Sequence, residues 1–277
     1  METPPSGRTT PLNRYRTLWI SDVHLGTRAS RADFLCDFLR CTTADSLYLV
    51  GDVFDGWALR RSWYWPPSHN DVLQLLLRHA RAGTTVTYIP GNHDEAARAF
   101  PGLRMGGVTI QRQAVHTTAT GRRLLILHGD EFDGIVRHAR WLSVLGAGAY
   151  TLSLKLNRWV NRMRRELGMP YWSLAGYLKH KTKRAVQFIA DFERVVAQKA
   201  RREGVDGVVC GHIHHAELRT IGGVLYANAG DWVESCTALA EHPDGRLEIL
   251  CWRPDVHASE PVSAGTLQAD RRAHASV

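Results

Sequence analysis

Short hydrophobic runs and longer periodic stretches alternate along the first half of the chain. Thr17 to Ser21, Ser46 to Val50, Thr85 to Ile89, Arg123 to Leu127 and Asp206 to Cys210 are rich in Leu, Ile, Val and aromatic residues, and a cluster of Gly, Asp, His or Asn follows each run. That length and those boundaries predict buried strands. Between the first three runs, Phe34, Leu35, Phe38 and Leu39 recur at helical spacing, as do Val72, Leu73, Leu75, Leu76 and Leu77, with Gly83 as a stop. Strand, helix, strand, helix, strand predicts an α/β sheet with parallel neighbours.

From Ile135 to about Glu203 the strand pattern gives way to helical stretches, Trp141 to Leu156, Lys155 to Leu167 and Lys183 to Arg202. A helical block inside an α/β chain is most simply a lid inserted between two sheet strands. Strand-like runs return at Val224 to Ala227, Ser235 to Ala240 and Leu247 to Trp252, with His242-Pro243-Asp244-Gly245 as a hairpin turn. The expected organisation is one domain over 17–252 with its insertion over about 135–203, between a flexible start, 1–16, and a flexible tail, 253–277.

Composition narrows the class. With 277 residues, 44% of them hydrophobic and 22% charged, the chain can bury one large core and is neither disordered nor collagen-like. No stretch reaches the ~18 to 20 apolar residues of a membrane span, and the first sixteen residues lack the apolar centre of a secretory signal. A cytoplasmic protein is expected, free or attached to a membrane face. Five cysteines without a C-x-x-C pair argue against a disulfide framework or a thiolate zinc site. The net charge of +8 is concentrated: between Asp133 and Arg202 there are 15 Lys and Arg against 4 Asp and Glu, so the remainder carries −3.

Each of the five main strands delivers polar residues at its end. They are Asp22 and His24, Asp52 with Asp55, Asn92 and His93 with Asp94, His128 with Asp130, and His212 and His214. The carboxyl ends of strands in an open α/β sheet share the edge where ligands bind. Two Asp, one Asn and four His (Asp22, His24, Asp52, Asn92, His128, His212 and His214) would meet in one cleft. Oxygen and imidazole donors without thiolate favour Mn²⁺, Fe²⁺, Zn²⁺ or Mg²⁺. Seven donors exceed what one ion takes, whereas two ions ~3.5 to 4 Å apart, bridged by one carboxylate, use them all and suit phosphoester hydrolysis. Asp52 is the expected bridge. Singly, such residues are caps or turn formers; the information lies in the ordered set.

That ordered set, Asp-x-His, Gly-Asp-x-x-Asp, Gly-Asn-His-Asp, His-Gly-Asp and Gly-His-x-His, resembles the calcineurin-like metallophosphoesterase superfamily over Thr17 to Trp252. The resemblance implies an α/β, four-layer αββα sandwich with an inserted helical lid. It also implies one metal site of Asp22, His24, Asp52 and His214, a second of Asp52, Asn92, His128 and His212, and in-line attack of metal-activated water on phosphorus. His93 is implied to stabilise phosphoryl charge or protonate the leaving group, with Asp94 holding its imidazole. Within the superfamily, Asp22 to Gly26, Gly51 to Trp57, His128 to Asp130 and the basic insert look like the UDP-2,3-diacylglucosamine pyrophosphohydrolase (diphosphatase) group of lipid A biosynthesis, whose well-known members carry Arg at the place of His93. Such enzymes release UMP and a lipid monophosphate, usually with Mn²⁺. By the same resemblance Asn92, Lys183, Lys179 and Asp133 would contact substrate.

The insert adds a physical argument of its own: Trp141, Leu145, Leu152, Trp159 and Met163 interleave with Lys155, Arg158, Arg162 and Arg164. That pairing suits a helix resting on anionic headgroups, as on the cytoplasmic face of the inner membrane. The alternatives are a nuclease or cyclic-nucleotide phosphodiesterase whose basic segment grips a phosphate backbone, and a non-catalytic scaffold.

Overall fold

The computed structural model describes residues 13–133 and 174–252, with side chains of the last helix from Val186 onward. The expected helices at 141–167, the tail from 253, and residues 1–12 lie outside the described residues. In chain order the elements are β1 (Asn13–Ile20), α1 (Ala32–Cys41), β2 (Thr42–Val50), α2 (Gly56–Arg61), α3 (Pro67–Arg81), β3 (Thr85–Ile89), β4 (Arg104–Met105), β5 (Val108–Ile110), β6 (Ala114–Thr117), β7 (Arg123–Ile126), α4 (Leu174–Arg202), β8 (Gly207–Cys210), β9 (Glu217–Ile221), β10 (Val224–Asn228), β11 (Thr237–Glu241) and β12 (Leu247–Cys251). Short 3₁₀ turns cover Glu95–Ala99 and Asp130–Phe132.

The strands form two sheets, a seven-stranded one in the order β12-β11-β1-β2-β3-β5-β4 and a five-stranded one in the order β6-β7-β8-β10-β9. β1, β2, β3 and β5 run parallel, as the alternating pattern predicts. β1 is longer than expected, beginning at Asn13 rather than Thr17. Side-chain alternation separates two cores. Leu18, Ile20, Leu47, Leu49, Val86 and Tyr88 share one with Leu35 and Phe38 of α1 and Val72, Leu75 and Leu76 of α3. Trp19, Val50, Ile89 and Leu239 share the other with Leu124, Ile126, Val209 and Ala227 of the five-stranded sheet. Burial on both faces is why these strands read as unbroken apolar runs. Each fully buried large side chain contributes about 1.5–3 kcal/mol relative to exposure.

Four strands and one helix escaped the hydrophobic pattern. β4 and β5 form a hairpin closed by Gly106 and Gly107, and β9 joins β10 through Gly222 and Gly223, all four glycines at positive φ. The edge strands β4, β6 and β9, and β5 beside β4, are short or half polar. α2 has six residues and buries none, so it carries no periodic stripe; Asp55 starts it by accepting the Ala58 amide at 2.7 Å.

The chain separates into two compact units, residues 1–130 with 199–277, and residues 131–198. In the second unit, α4 begins at Leu174, nine residues before the periodic stretch expected from Lys183, and Phe132 meets Phe192 edge to face.

Candidate metal centre

Both sheets deliver the expected residues. Asp22 and His24 follow β1, Asp52 follows β2, and Asn92 and His93 follow β3 in the seven-stranded sheet, while His128 follows β7 and His212 and His214 follow β8 in the five-stranded one. Five strand ends of a single sheet, the simplest sequence expectation, are therefore divided three and two. The backbone turns sharply at the ligands: Asp22 (φ 52°), His24 (52°), Asp52 (50°), His212 (72°) and His214 (52°) are left-handed, and Cys236 is the one other non-glycine in that region among the described residues. Such conformations cost of order 1–3 kcal/mol each and persist where surrounding contacts over-determine them. Here the amide of His24 donates to Asp52 O at 2.8 Å and that of Leu25 to Val53 O at 2.9 Å, tying the two turns together.

Three overlapping groups of donor atoms result: Asp22, His24 and His214; Asp52, His128 and His212; and His24, Asp52 and His93. His214 Nε2 lies 3.4 Å from Asp22 Oδ1, His128 Nε2 3.4 Å from Asp52 Oδ2, and His24 Nε2 3.9 Å from the same Asp52 oxygen. Asp52 thus stands between the first two groups, where a bridging carboxylate belongs.

Hydrogen bonding fits these atoms to cations. His128 Nδ1 donates to Val50 O at 3.0 Å; a carbonyl only accepts, so the neutral ring leaves its Nε2 lone pair free. Asp22 Oδ2 accepts the His212 amide at 2.9 Å and Asp52 Oδ1 the His93 amide at 2.8 Å, fixing one oxygen of each carboxylate. Asp22 Oδ1, Asn92 Oδ1 and His128 Nε2 are buried without hydrogen-bond partners, a costly state for polar atoms unless a ligand satisfies them. The donors are all oxygen and imidazole nitrogen, so the residues present suit two hard-to-borderline divalent ions.

Charge follows the same plan. Burial alone would lower the His128 and His214 pKa values, but the facing carboxylates outweigh it, Asp52 foremost for His128 and Asp22 for His214, pushing them up to about 10 and about 9. Burial would raise the pKa of Asp22 and Asp52, yet the imidazoles hold both below the ordinary carboxylate value. Without cations, protons take their place; binding cations must release protons.

His93 sits beside the ligands, its Nδ1 3.1 Å from Asp55 Oδ2 and its ring centroid 4.0 Å from that of Trp57. Asp55, not Asp94, faces this imidazole, at ion-pair distance and without the alignment of a hydrogen bond. The sequence expectation for Asp94 is corrected, because its carboxylate accepts the amides of Val53 (2.8 Å), Phe54 (3.2 Å) and Gly91 (2.5 Å) and is used up in shaping the loops. Asp55 Oδ2 also meets His24 Nδ1 at 3.2 Å. Asp55 thus faces two imidazoles with one oxygen and holds the start of α2 with the other.

Sequence reasoning passed over the glycines before the ligands. A Cβ on Gly91 would lie 2.2 Å from Asp52 Oδ1, and one on Gly211 2.4 Å from Asp22 Oδ2. The repeated Gly-Asp, Gly-Asn-His and Gly-His pairs were the available signal. Of the expected substrate contacts, Asn92 is at the centre, the side chains of Lys179 and Lys183 lie outside the described residues, and Asp133 belongs to the second unit.

The family profile of calcineurin-like phosphoesterases matches residues 15–216. UDP-2,3-diacylglucosamine hydrolase of Serratia proteamaculans is 34% identical over 119 residues, covering 41% of this chain and 48% of the relative. That of Pseudomonas aeruginosa is 31% identical over 142 residues, covering 45% and 54%. The chain spans about half the length of the curated relatives it matches. Among solved structures, Vacuolar Protein Sorting 29 from Cryptosporidium parvum is similar with TM-score 0.44 at 14% identity, covering 88% of this chain and 94% of that one. The phosphoesterase Yfce from E. coli is similar with TM-score 0.43 at 14% identity, covering 85% and 92%. With the profile matched over most of its length, the chain belongs to the calcineurin-like phosphoesterase family.

Proposed function

We propose that this protein is a dinuclear-metal phosphohydrolase that cleaves the diphosphate of UDP-2,3-diacylglucosamine, or a similar nucleotide-activated lipid, into UMP and a lipid monophosphate, with Mn²⁺ as its metal. The carrying observation is that Asp52 joins two buried donor groups that together include five imidazole and carboxylate partners. Divalent ions bound there neutralise phosphoryl oxygens and lower the pKa of water toward neutrality. The chain's own part is positioning: Asp22 and Asp52 hold one oxygen each toward the centre, and Asp55 fixes the His24 and His93 rings through Nδ1. His93 Nε2 then faces the centre, 3.9 Å from Asp52 Oδ2, where it can pass a proton to the departing oxygen. Burial pulls the His93 pKa down most strongly of any single cause, but the carboxylates of Asp55, Asp52 and Asp22 together outweigh it and raise the pKa.

A lipid rather than a nucleic acid is supported by the names of the matched relatives and by a cavity of about 660 Å³ adjoining His93. Its walls are mostly apolar, Phe54, Trp57, Leu73, Leu76, Val108 and Ile110 among them, and suit hydrocarbon, with Arg60 and His93 also on the lining. No helix among the described residues is long and apolar enough to cross a membrane. Attachment to the cytoplasmic face through the basic segment 133–202 belongs to the same proposal.

The test is a hydrolysis panel with Mn²⁺, comparing UDP-2,3-diacylglucosamine, bis-p-nitrophenyl phosphate, cyclic nucleotides and single-stranded DNA. The expected result is a kcat/KM for the nucleotide-lipid at least about 100-fold above the others, equivalent to about 2.7 kcal/mol of added transition-state binding, with UMP as product. Preferred cleavage of DNA or cyclic nucleotides overturns the lipid reading and favours the nuclease or phosphodiesterase alternative.

A further inference from the structure

Arg98, in the 3₁₀ turn at Glu95–Ala99, has four of its guanidinium hydrogen-bonding positions occupied. Nε and Nη2 donate to Pro90 O at 3.1 and 3.0 Å, while Nη1 and Nη2 donate to Asp130 Oδ2 and Oδ1 at 2.9 and 2.6 Å. Pro90 opens the loop Pro90-Gly91-Asn92-His93, and Asp130 ends His128-Gly129-Asp130. The two loops come from different sheets. One planar group therefore fastens the turn that supplies Asn92 and His93 to the turn that supplies His128. The fastened turn has no slack, because Gly91 packs so tightly on Asp52 Oδ1 and His128 Nε2 that even a methyl group is excluded.

We propose that Arg98 is a positioning residue which, with Asp130, sets the donor geometry of Asn92 and His128 without touching substrate. A lysine cannot substitute, since a single ammonium cannot span the Pro90 carbonyl and both Asp130 oxygens in the plane that the guanidinium imposes. Asp22, His24 and His214 make no hydrogen bond to the clamp, so the effect is selective for one of the two donor groups.

Calorimetric titration of metal-stripped protein with Mn²⁺ tests this without reference to any substrate. Arg98→Met is expected to weaken one of the two binding steps by about 10- to 100-fold, the usual effect of removing a group that orients ligands, and to leave the other within about twofold. Arg98→Lys is expected to resemble Arg98→Met, and Asp130→Asn to weaken the same step. The double variant Arg98→Met/Asp130→Asn should lose no more than the worse single one, as partners in one interaction do. With Mn²⁺ restored at saturation, kcat on bis-p-nitrophenyl phosphate should fall while KM stays put. Should Arg98→Met not fold cooperatively, Asp130→Asn carries the test alone. Two unchanged steps, equal weakening of both, or full rescue by Arg98→Lys would each overturn the proposal, the last by showing that charge suffices.

Discussion

Asp55 uses its two oxygens for different ends, one capping α2 through the Ala58 amide and the other steadying the Nδ1 atoms of His24 and His93. At the scale of single residues, His24 belongs both to the group of Asp22 and His214 and to that of Asp52 and His93, and Trp57 packs against the His93 ring; the proposed function makes His24 a ligand and His93 a proton donor. His93→Gln is accordingly expected to retain metal, measured by elemental analysis, and to lose about 10²- to 10⁴-fold in kcat. Loss of metal equal to that of Asn92→Ala would make His93 a ligand. The sequence placed all seven ligand candidates by type and strand end, but it assigned the His93 partner to the adjacent Asp94 when the true neighbour is 38 positions upstream; adjacency in sequence is a poor guide to side chains on opposite faces of a turn.

The elements explain why glycine precedes Asn92 and His212. Asp22, His24, Asp52, His212 and His214 take left-handed backbone conformations at the ends of β1, β2 and β8, which turns their side chains from the strand axis into the cleft. Glycine at 91 and 211 lets neighbouring backbone close over those side chains, a demand of packing rather than of φ. Gly91→Ala puts a methyl group 2.2 Å from the present position of Asp52 Oδ1 and 2.7 Å from His128 Nε2. The expected outcome is at least about a tenfold loss of activity, about 1.4 kcal/mol in the barrier, with unchanged far-ultraviolet circular dichroism. Wild-type activity would show that the loop yields more readily than its packing implies.

Over the whole molecule, the two sheets are joined not only by apolar packing but by a buried polar cluster at Glu241. Its carboxylate, at the end of β11, accepts from Thr17 Oγ1 (3.0 Å) and Arg16 (3.0 Å) of β1, from the Ala119 amide (2.7 Å), and meets His116 Nε2 of β6 at 2.7 Å. Burial would raise its pKa; the His116 contact and the other donors prevail and lower it. A depressed carboxylate stabilises the fold fully above its ordinary value of 4.5, and that contribution is lost as pH falls through the lowered one. Glu241→Gln should therefore cost about 1–3 kcal/mol near neutrality and give a shallower acid limb when stability is measured by urea unfolding from pH 7 to 3. An unchanged slope would mean that Glu241 is not the titrating link. The sequence by itself determined the strands with two apolar faces, the helices with one, and the residue types at the strand ends, because hydropathy period and strand-end composition are local properties. Only the tertiary structure decided which sheet each strand joins, since a run apolar on both sides does not say what it faces. It likewise decided the short strands β4, β5, β6 and β9, whose partners rather than their own residues make them strands, and the pairings Asp55 with His93 across neighbouring strand ends of one sheet, and Arg98 with Asp130 and Glu241 with His116 across the two sheets, each a distance that only the folded chain sets.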